Sequence, residues 1–467
     1  MNMKIEDNNS KIILELLPSN AEAYIVGGYL RDLVLNIKTY DIDFALIGVD
    51  IIEFAQKFAS KVNGRFVLLD DKNEIARVVM PDKINYIDFA KCVGESITED
   101  LSRRDFSINA MAYDIKTHTL IDIYNGLDDI KNKTIRVFNI QNILDDPLRI
   151  LRAYRFASKY NFKIEETSQQ ILDAHYKLMN QNKIAKERVQ VEFLKLLEGK
   201  NSAQTLQKMK NNKFLYEIFA ELELQEEVPP NSHHHLKLID HSIETINQLE
   251  ELIFNEPEWV QAHINQDFIP SISRLAFLKL ATLLHDLGKP QTWEIDPESG
   301  RHRFIKHDEI GAQMALKMLK KLKYSNNQIK YITKLIKHHI YPSHLLQSEA
   351  TEKAILRMFR RLEPETIDII LLAKADRLSA KGEDITDAII NKNMAGLCEL
   401  LEKYKIAKET LAPLEKLISG DEIMKILNIK ADKNLGNIIK ELKEAQLSGD
   451  VITKEDAINF IRNVKLY

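Results

Sequence analysis

Asp41-Ile42-Asp43 lies inside the strand-like stretch TYDIDFALIG. Side chains alternate along an extended chain, so carboxylates two positions apart share one face. Two hard oxygen donors placed this way can hold Mg2+ while a substrate's phosphates complete its coordination. A pair of such ions can activate an attacking hydroxyl and stabilise a leaving pyrophosphate. Upstream, Gly27-Gly28 ends the run AYIV and opens the helix-like YLRDLVL, which carries Arg31 and Asp32. Paired glycines let backbone N–H groups approach a phosphate, and a helix start adds partial positive charge. Each signal is weak alone, since most glycine pairs are turns and most DxD pairs are acidic strand edges. Asp88, in NYIDFAK, offers either a third carboxylate or a surface charge.

Two arginine-rich segments follow. Arg103-Arg104-Asp105-Phe106-Ser107-Ile108-Asn109-Ala110 combines phosphate-binding cations with an Asp and an Asn able to bond ribose hydroxyls. Asp145-Asp146-Pro147-Leu148-Arg149 leads into a helical pattern with Arg152 and Arg155. Arginines three apart project from nearby faces of one helix, either into a site or simply into solvent. A second constellation holds His241, His285-Asp286, His307, His338-His339 and Asp376. LKLATLLHDLGKP is apolar at helical spacing up to its His-Asp pair. Mixed nitrogen and oxygen donors of this kind suit a divalent cation, whereas a lone buried histidine is more often structural. His233, His234 and His235 read as boundary residues instead of ligands.

Residues 22–135 mix Val/Ile/Tyr/Phe-rich runs with helical stretches, which points to an α+β domain with a mixed or antiparallel sheet. From about residue 140 the periodicity is helical almost to the end. EEVPPNSHHH, around 226–235, is the clearest boundary. At 467 residues the chain is long enough for about three domains. The net charge is −4, but residues 131–163 carry eight Lys/Arg against two Asp, and residues 183–213 eight Lys/Arg against three Glu. Local positive surface of that kind suits a phosphate backbone, or a solvated helix face. Cys92 and Cys398 form neither a disulfide framework nor a thiolate metal site, so a reducing cytoplasm is the expected location. No apolar run reaches the ~18 residues of a membrane span, and the N-terminus lacks the basic start and apolar centre of a signal peptide.

GG-x-L-R-D, DxD, RRDFSINAMA and DDPLRILRAYRF, in this order and spacing, resemble the motifs of the class II tRNA nucleotidyltransferase and bacterial poly(A) polymerase family. The resemblance covers the first 200 residues. It implies a polymerase-β-like head with a mixed sheet (1–135) and an all-α neck (136–225). Asp41 and Asp43 are implied as catalytic Mg2+ ligands beside Gly27, Gly28 and Arg31. Arg104, Asp105 and Asn109 are implied at the ribose, and Asp146 and Arg149 at the base, with the protein serving as template. Arg152 and Arg155 join the nucleotide-binding set. Asp145 stands where the family has Glu. Residues 226–395 resemble an HD-type phosphohydrolase domain. That likeness implies His241, His285, Asp286 and Asp376 as ligands of a divalent metal of unspecified identity, with His307 and His338 allowing a second ion. Residues 396–467 resemble the family's helical tail, which grips tRNA through phosphate contacts.

The implied reaction is addition of CMP and AMP from CTP and ATP to the tRNA 3′ end, with no membrane or DNA partner. NYIDFAKCVGESITEDLSRRD runs straight on, without the T-F-R string usual in CCA-adding members. This short form resembles members that add only the two cytidines. Competing readings are a poly(A) polymerase or A-adding enzyme, a metal-dependent phosphohydrolase whose head only binds nucleotide, and a non-catalytic RNA-binding protein. The oligomeric state is not encoded in any of these signals.

Overall fold

The computed structural model describes residues 5, 8–181, 184–232, 235–348, 350–408, 416–431, 433–448 and 450–463. His233 and His234 lie outside them. The chain divides into two compact units, Met1–Ile218 and Phe219–Tyr467. The first division therefore falls slightly before the proline-rich boundary suggested by sequence. A 3-10 segment, Ala220–Glu227, packs on the Leu238–Ile253 helix and draws these residues into the second unit.

The first unit is built on a seven-stranded mixed sheet. Its strands are β1 (Glu22–Val26), β2 (Asp41–Ile47), β3 (Arg65–Asp70), β4 (Ile75–Val79), β5 (Tyr86–Lys91), β6 (Ala112–Asp114) and β7 (Thr119–Ile121). The order is β3-β4-β5-β2-β1-β6-β7, with β2 and β5 parallel and the other pairs antiparallel. Alternation splits β5 cleanly. Ile87 and Phe89 are buried on one face, while Tyr86 and Asp88 are on the other. Phe89 packs edge-on against Phe54 and Phe58 of the Ile51–Lys61 helix, at 5.4 and 5.2 Å between ring centroids. One side of the sheet is therefore sealed by aromatic burial, and the other is free to carry charge.

The Leu148–Tyr160 helix follows the same logic at helical period. Leu148, Ile150, Leu151, Ala153, Tyr154, Phe156 and Ala157 are buried, leaving Arg149, Arg152 and Arg155 on the remaining stripe. Phe106 and Phe156 meet edge to face at 5.7 Å, joining the RRDF segment to this helix. The Lys186–Leu197 helix packs along it.

The second unit is helical. Leu238–Ile253, Arg274–Leu284, His307–Lys321, Asn326–His338 and Thr366–Ser379 make its centre. A buried polar hub helps hold them: Asp368 accepts from Arg274 at 2.8 and 2.9 Å, from the Tyr331 hydroxyl at 2.7 Å, and faces His263 Nε2 at 3.0 Å. The C-terminal helices Gly420–Leu427, Lys433–Ser448 and Lys454–Asn463 share a small apolar core of their own, including Ile423, Ile438, Leu442 and Ile461. Among the described residues no helix is long and apolar enough to cross a membrane.

Candidate active site and a second metal-ligand cluster

The parallel pairing of β2 with β5 puts Asp43 directly beside Asp88, and Asp41 beside Tyr86. Three carboxylates thus project from the charged face of two adjacent strands. Burial pushes Asp43 up to about 6, and the neighbouring charges of Asp88 and Asp41 add to the shift. Asp41 is also raised by burial, against a hydrogen bond from Tyr86 that favours its anion. The cost of this crowding disappears when a cation sits among the oxygens, so the donor set fits a hard divalent ion. Gly27 opens the space. Its φ is +76°, and a Cβ there would stand 3.1 Å from Asp43 Oδ2 and 3.3 Å from Arg104 Nη1.

Asp43, Gly27 and Gly28 line one end of a cavity of about 420 Å3. Its remaining wall is strongly cationic: Arg31, Arg103, Arg104, Arg149, Arg152, Arg155 and Lys159 face it, against only two further carboxylates, Asp105 and Asp146. An excess of this size suits a triphosphate. Five of these seven cations are held by side-chain partners. Asp100, almost fully buried, takes Arg103 on one oxygen (2.8 Å) and Arg104 on the other (2.7 Å). Arg31 bonds Asp32 (2.8 Å) and Asn109 Oδ1 (2.6 Å), and stacks over Tyr160. Asn109 in turn donates to Asp105 (2.8 Å), whose other oxygen accepts two bonds from Arg152 (2.9 and 2.6 Å). Arg155 pairs with Glu192 at 2.8 Å. Asp105 stays anionic: burial alone would raise it, but Arg152 and Asn109 outweigh burial and lower it. Asp146 accepts from Arg188 (2.7 Å), and Arg149 Nη1 is buried without a hydrogen-bond partner among the described residues. Asp145 is exposed, bonded to Gln141 and outside the cavity wall.

Gly27, Gly28, Arg31, Asp43, Arg104, Asp105, Asn109, Asp146, Arg149, Arg152 and Arg155 are thus brought to one cavity. Asp41 stands on the same strand face, two residues from Asp43. Three residues that hold this arrangement escaped the motif reading: Asp100, Glu192 and Arg77. The last pairs with Asp88 through both nitrogens of its fork (2.7 and 2.8 Å). Only Asp100 left a local signal, its spacing of three and four to Arg103 and Arg104.

In the second unit, His241, His285 and Asp376 bring ligand atoms within 4.8 Å of one another, as do His285, Asp286 and His339. His285 Nδ1 faces the Thr282 carbonyl (2.7 Å), His307 Nδ1 that of Phe304 (2.8 Å) and His339 Nδ1 that of Ile336 (2.7 Å). A carbonyl only accepts, so each of these Nδ1 atoms carries a proton. Each ring therefore turns Nε2 inward, and in its neutral form offers the lone pair there, the arrangement in which histidine binds metal. Asp286 divides the group. Its Oδ2 faces His285 and His241 at 3.2 and 3.6 Å, and its Oδ1 faces His307 and His339 at 3.6 and 3.8 Å. Asp376 Oδ1 completes the first set, 3.1 Å from His241. Burial opposes protonation of His285, but Asp286 and then Asp376 outweigh it and push it up to about 10. A divalent ion would replace that proton, and the converging donors fit one.

His338 is a correction to the sequence-based ligand set. It ends the Asn326–His338 helix, half-exposed and tilted against Tyr341, while its neighbour His339 is buried in the cluster. Successive helical residues point about 100° apart, and the phase at this helix end turns His339 inward and leaves His338 at the edge. Replacing His339 by Ala is expected to weaken divalent-metal binding to this unit by at least about 100-fold, since even outer partners of metal ligands are worth 10–100-fold. His338→Ala is expected to leave it unchanged. Metal content after dialysis against graded chelator checks both.

Comparison with known proteins agrees with this geometry. Residues 23–136 match the family described as poly A polymerase head domain, residues 161–225 the probable RNA and SrmB-binding site of polymerase A, and residues 238–381 the HD domain. Over 94% of its length the chain is 28% identical to a CC-adding tRNA nucleotidyltransferase of Thermus thermophilus, covering 93% of that protein. The chain belongs to the class II tRNA nucleotidyltransferase and poly(A) polymerase family. Another member, an A-adding tRNA nucleotidyltransferase of Deinococcus radiodurans, is also 28% identical, with 96% of both chains covered. The family fold is seen too in the Thermotoga maritima CCA-adding enzyme complexed with tRNA, with TM-score 0.56 and 23% identity over 98% of this chain and 99% of that one.

Proposed function

We propose that this chain adds nucleotides to the 3′ end of tRNA without a nucleic-acid template, using CTP and ATP. The observation that carries the reading is the cavity in which a glycine turn, Asp43 and seven cationic side chains converge, with Asp41 on the same strand face. Asp41 and Asp43, with Asp88 beside them, would hold Mg2+, which neutralises phosphate charge and lowers the barrier to attack on the α-phosphate. The chain's own residues do the positioning. The turn at Gly27-Gly28 and the arginine wall orient the triphosphate, so that the terminal RNA hydroxyl meets the α-phosphate and pyrophosphate leaves. Asp105 and Asn109, locked by Arg152 and Arg31, stand ready for the ribose hydroxyls. Arg149 offers donors and Asp146 an acceptor edge to the base, and cytosine and adenine present matching groups.

The four-part organisation proposed is a head to residue 135, a neck to 225, the HD-type body to 395 and a tail beyond it that holds tRNA by its phosphates. A cytoplasmic location follows from the substrate. The connection from β5 to the Ile97–Ser102 helix favours the CC-only form of the reaction. It is a tight turn pinned by Val93 N–H to Asp100 (3.3 Å), Glu95 N–H to Glu99 (2.9 Å) and Ser96 as N-cap. Such a turn leaves no room for the T-F-R-bearing segment usual in CCA-adding members. Transcripts ending before CCA, after C and after CC, given CTP or ATP separately, test this. Products that stop at CC select the cytidine-only form, and a final AMP on the CC transcript refutes it.

Asp43 also sets an acid limit. With its carboxyl near 6, protons compete with cations below that pH, so at limiting Mg2+ incorporation is expected to fall about tenfold per pH unit below 6. Raising Mg2+ should move this limb to lower pH. A pH–rate profile at two Mg2+ concentrations checks the direction.

A further inference from the structure

Arg77 does not line the nucleotide cavity, yet its Nε and Nη2 both bond a member of the carboxylate group. Antiparallel pairing of β4 with β5 sets Arg77 opposite Asp88, and parallel pairing of β2 with β5 sets Asp43 on the other flank. A row of three therefore crosses adjacent strands: Asp43, Asp88, Arg77. Both oxygens of Asp88 are engaged, at 2.7 and 2.8 Å. The guanidinium also lies 4.3 Å over the ring of Tyr86, whose hydroxyl serves Asp41. Bidentate, stacked placement fixes Arg77 more firmly than an exposed ion pair would.

We propose that Arg77 is a resident counter-cation that closes Asp88 to a free divalent ion, so that the head takes its cation together with the nucleoside triphosphate instead of before it. The inference rests on the reading of Asp41 and Asp43 as cation ligands. Without nucleotide, a divalent ion finds two carboxylates and a third already occupied, with a fixed positive charge held on that third carboxylate, next to Asp43. A triphosphate adds oxygen ligands and negative charge, which makes up for the ligand Arg77 withholds. Arg77 is thus a positioning residue, acting on loading order through Asp88.

Mn2+ binding to the full chain, followed by electron paramagnetic resonance with and without CTP and in the absence of tRNA, tests this. Without CTP, Arg77→Met is expected to bind Mn2+ on the order of tenfold tighter than the parent, from the lost repulsion and the freed oxygens. Asp43→Asn added to Arg77→Met should remove that gain, and the histidine cluster contributes the same background to each variant. With CTP present the difference should shrink to within about twofold. Unchanged or weaker Mn2+ binding in Arg77→Met, or a gain that survives Asp43→Asn, overturns the proposal. Should circular dichroism show that Arg77→Met is unfolded, Arg77→Lys decides, since lysine keeps the charge but loses the fork. Binding tightened about threefold supports the proposal, and unchanged binding overturns it. Loss of incorporation in Asp43→Asn alone with no Arg77 effect leaves the nucleotidyl-transfer reading standing and removes only this one.

Discussion

Asp43→Asn is expected to lower CMP incorporation on the order of a thousandfold or more while leaving the thermal transition within a few degrees of the parent. The two halves have separate causes. The substitution keeps shape and volume but removes the charge that would hold the cation against the α-phosphate, a contribution comparable to the largest single electrostatic groups in enzymes. Stability is spared because the native carboxylate is already crowded. Burial and the charges of Asp88 and Asp41 make its ionised form costly, so a neutral amide relieves repulsion. Single-turnover incorporation together with a melting curve reads both. A large loss of fold would mean that Asp43 is structural, and normal turnover would remove it from the chemistry.

Asp105→Ala should behave in the opposite way, failing in stability as well as in function. Asp105 is buried and accepts bonds from Asn109, the Phe106 N–H and Arg152. Its loss strands the Arg152 guanidinium, whose other carboxylate, Glu192, is 3.8 Å away. Breaking one side of a buried, hydrogen-bonded pair typically costs about 3–5 kcal/mol. The freed Asn109 would then no longer fix Arg31, so the disturbance would spread to the glycine turn. Urea denaturation measures the first effect, and CTP affinity of the fraction still folded measures the second. Asp105→Asn, which keeps one acceptor, should recover part of the stability and little of the binding.

The reach of the sequence can be judged residue by residue. Gly27-Gly28 and the DxD pair were legible because strand alternation and glycine freedom are local rules, each acting over a few positions. Arg149, Arg152 and Arg155 were legible for the same reason at helical period. Arg77 was not, because its meaning comes only from strand register: nothing in ARVVM says that β4 will lie beside β5 with Arg77 opposite Asp88. Glu192 was hidden in the same way, sitting far along the chain on a helix that packs across Leu148–Tyr160. The choice between His338 and His339 turns on the phase of one helix end, which periodicity leaves open by about one residue. The short strands β6 and β7 completed the sheet with three residues each, too few for a pattern to emerge.

The head and the histidine cluster each fit a divalent cation, and their donor sets differ in kind. The head offers oxygens only, which suits Mg2+ with phosphate ligands. The second cluster mixes imidazole nitrogen with carboxylate, which suits a transition metal. Removing metal by chelation and restoring Mg2+ alone would therefore be expected to recover nucleotide addition without refilling the second cluster.

The most direct measurement supplies a tRNA transcript lacking its 3′ CCA with α-labelled CTP and Mg2+, and follows label and pyrophosphate together. Nucleotidyl transfer puts the label into RNA, with one pyrophosphate released for each CMP added and no template required. CTP broken down with no label in the RNA would contradict it and favour a hydrolase whose head merely binds nucleotide.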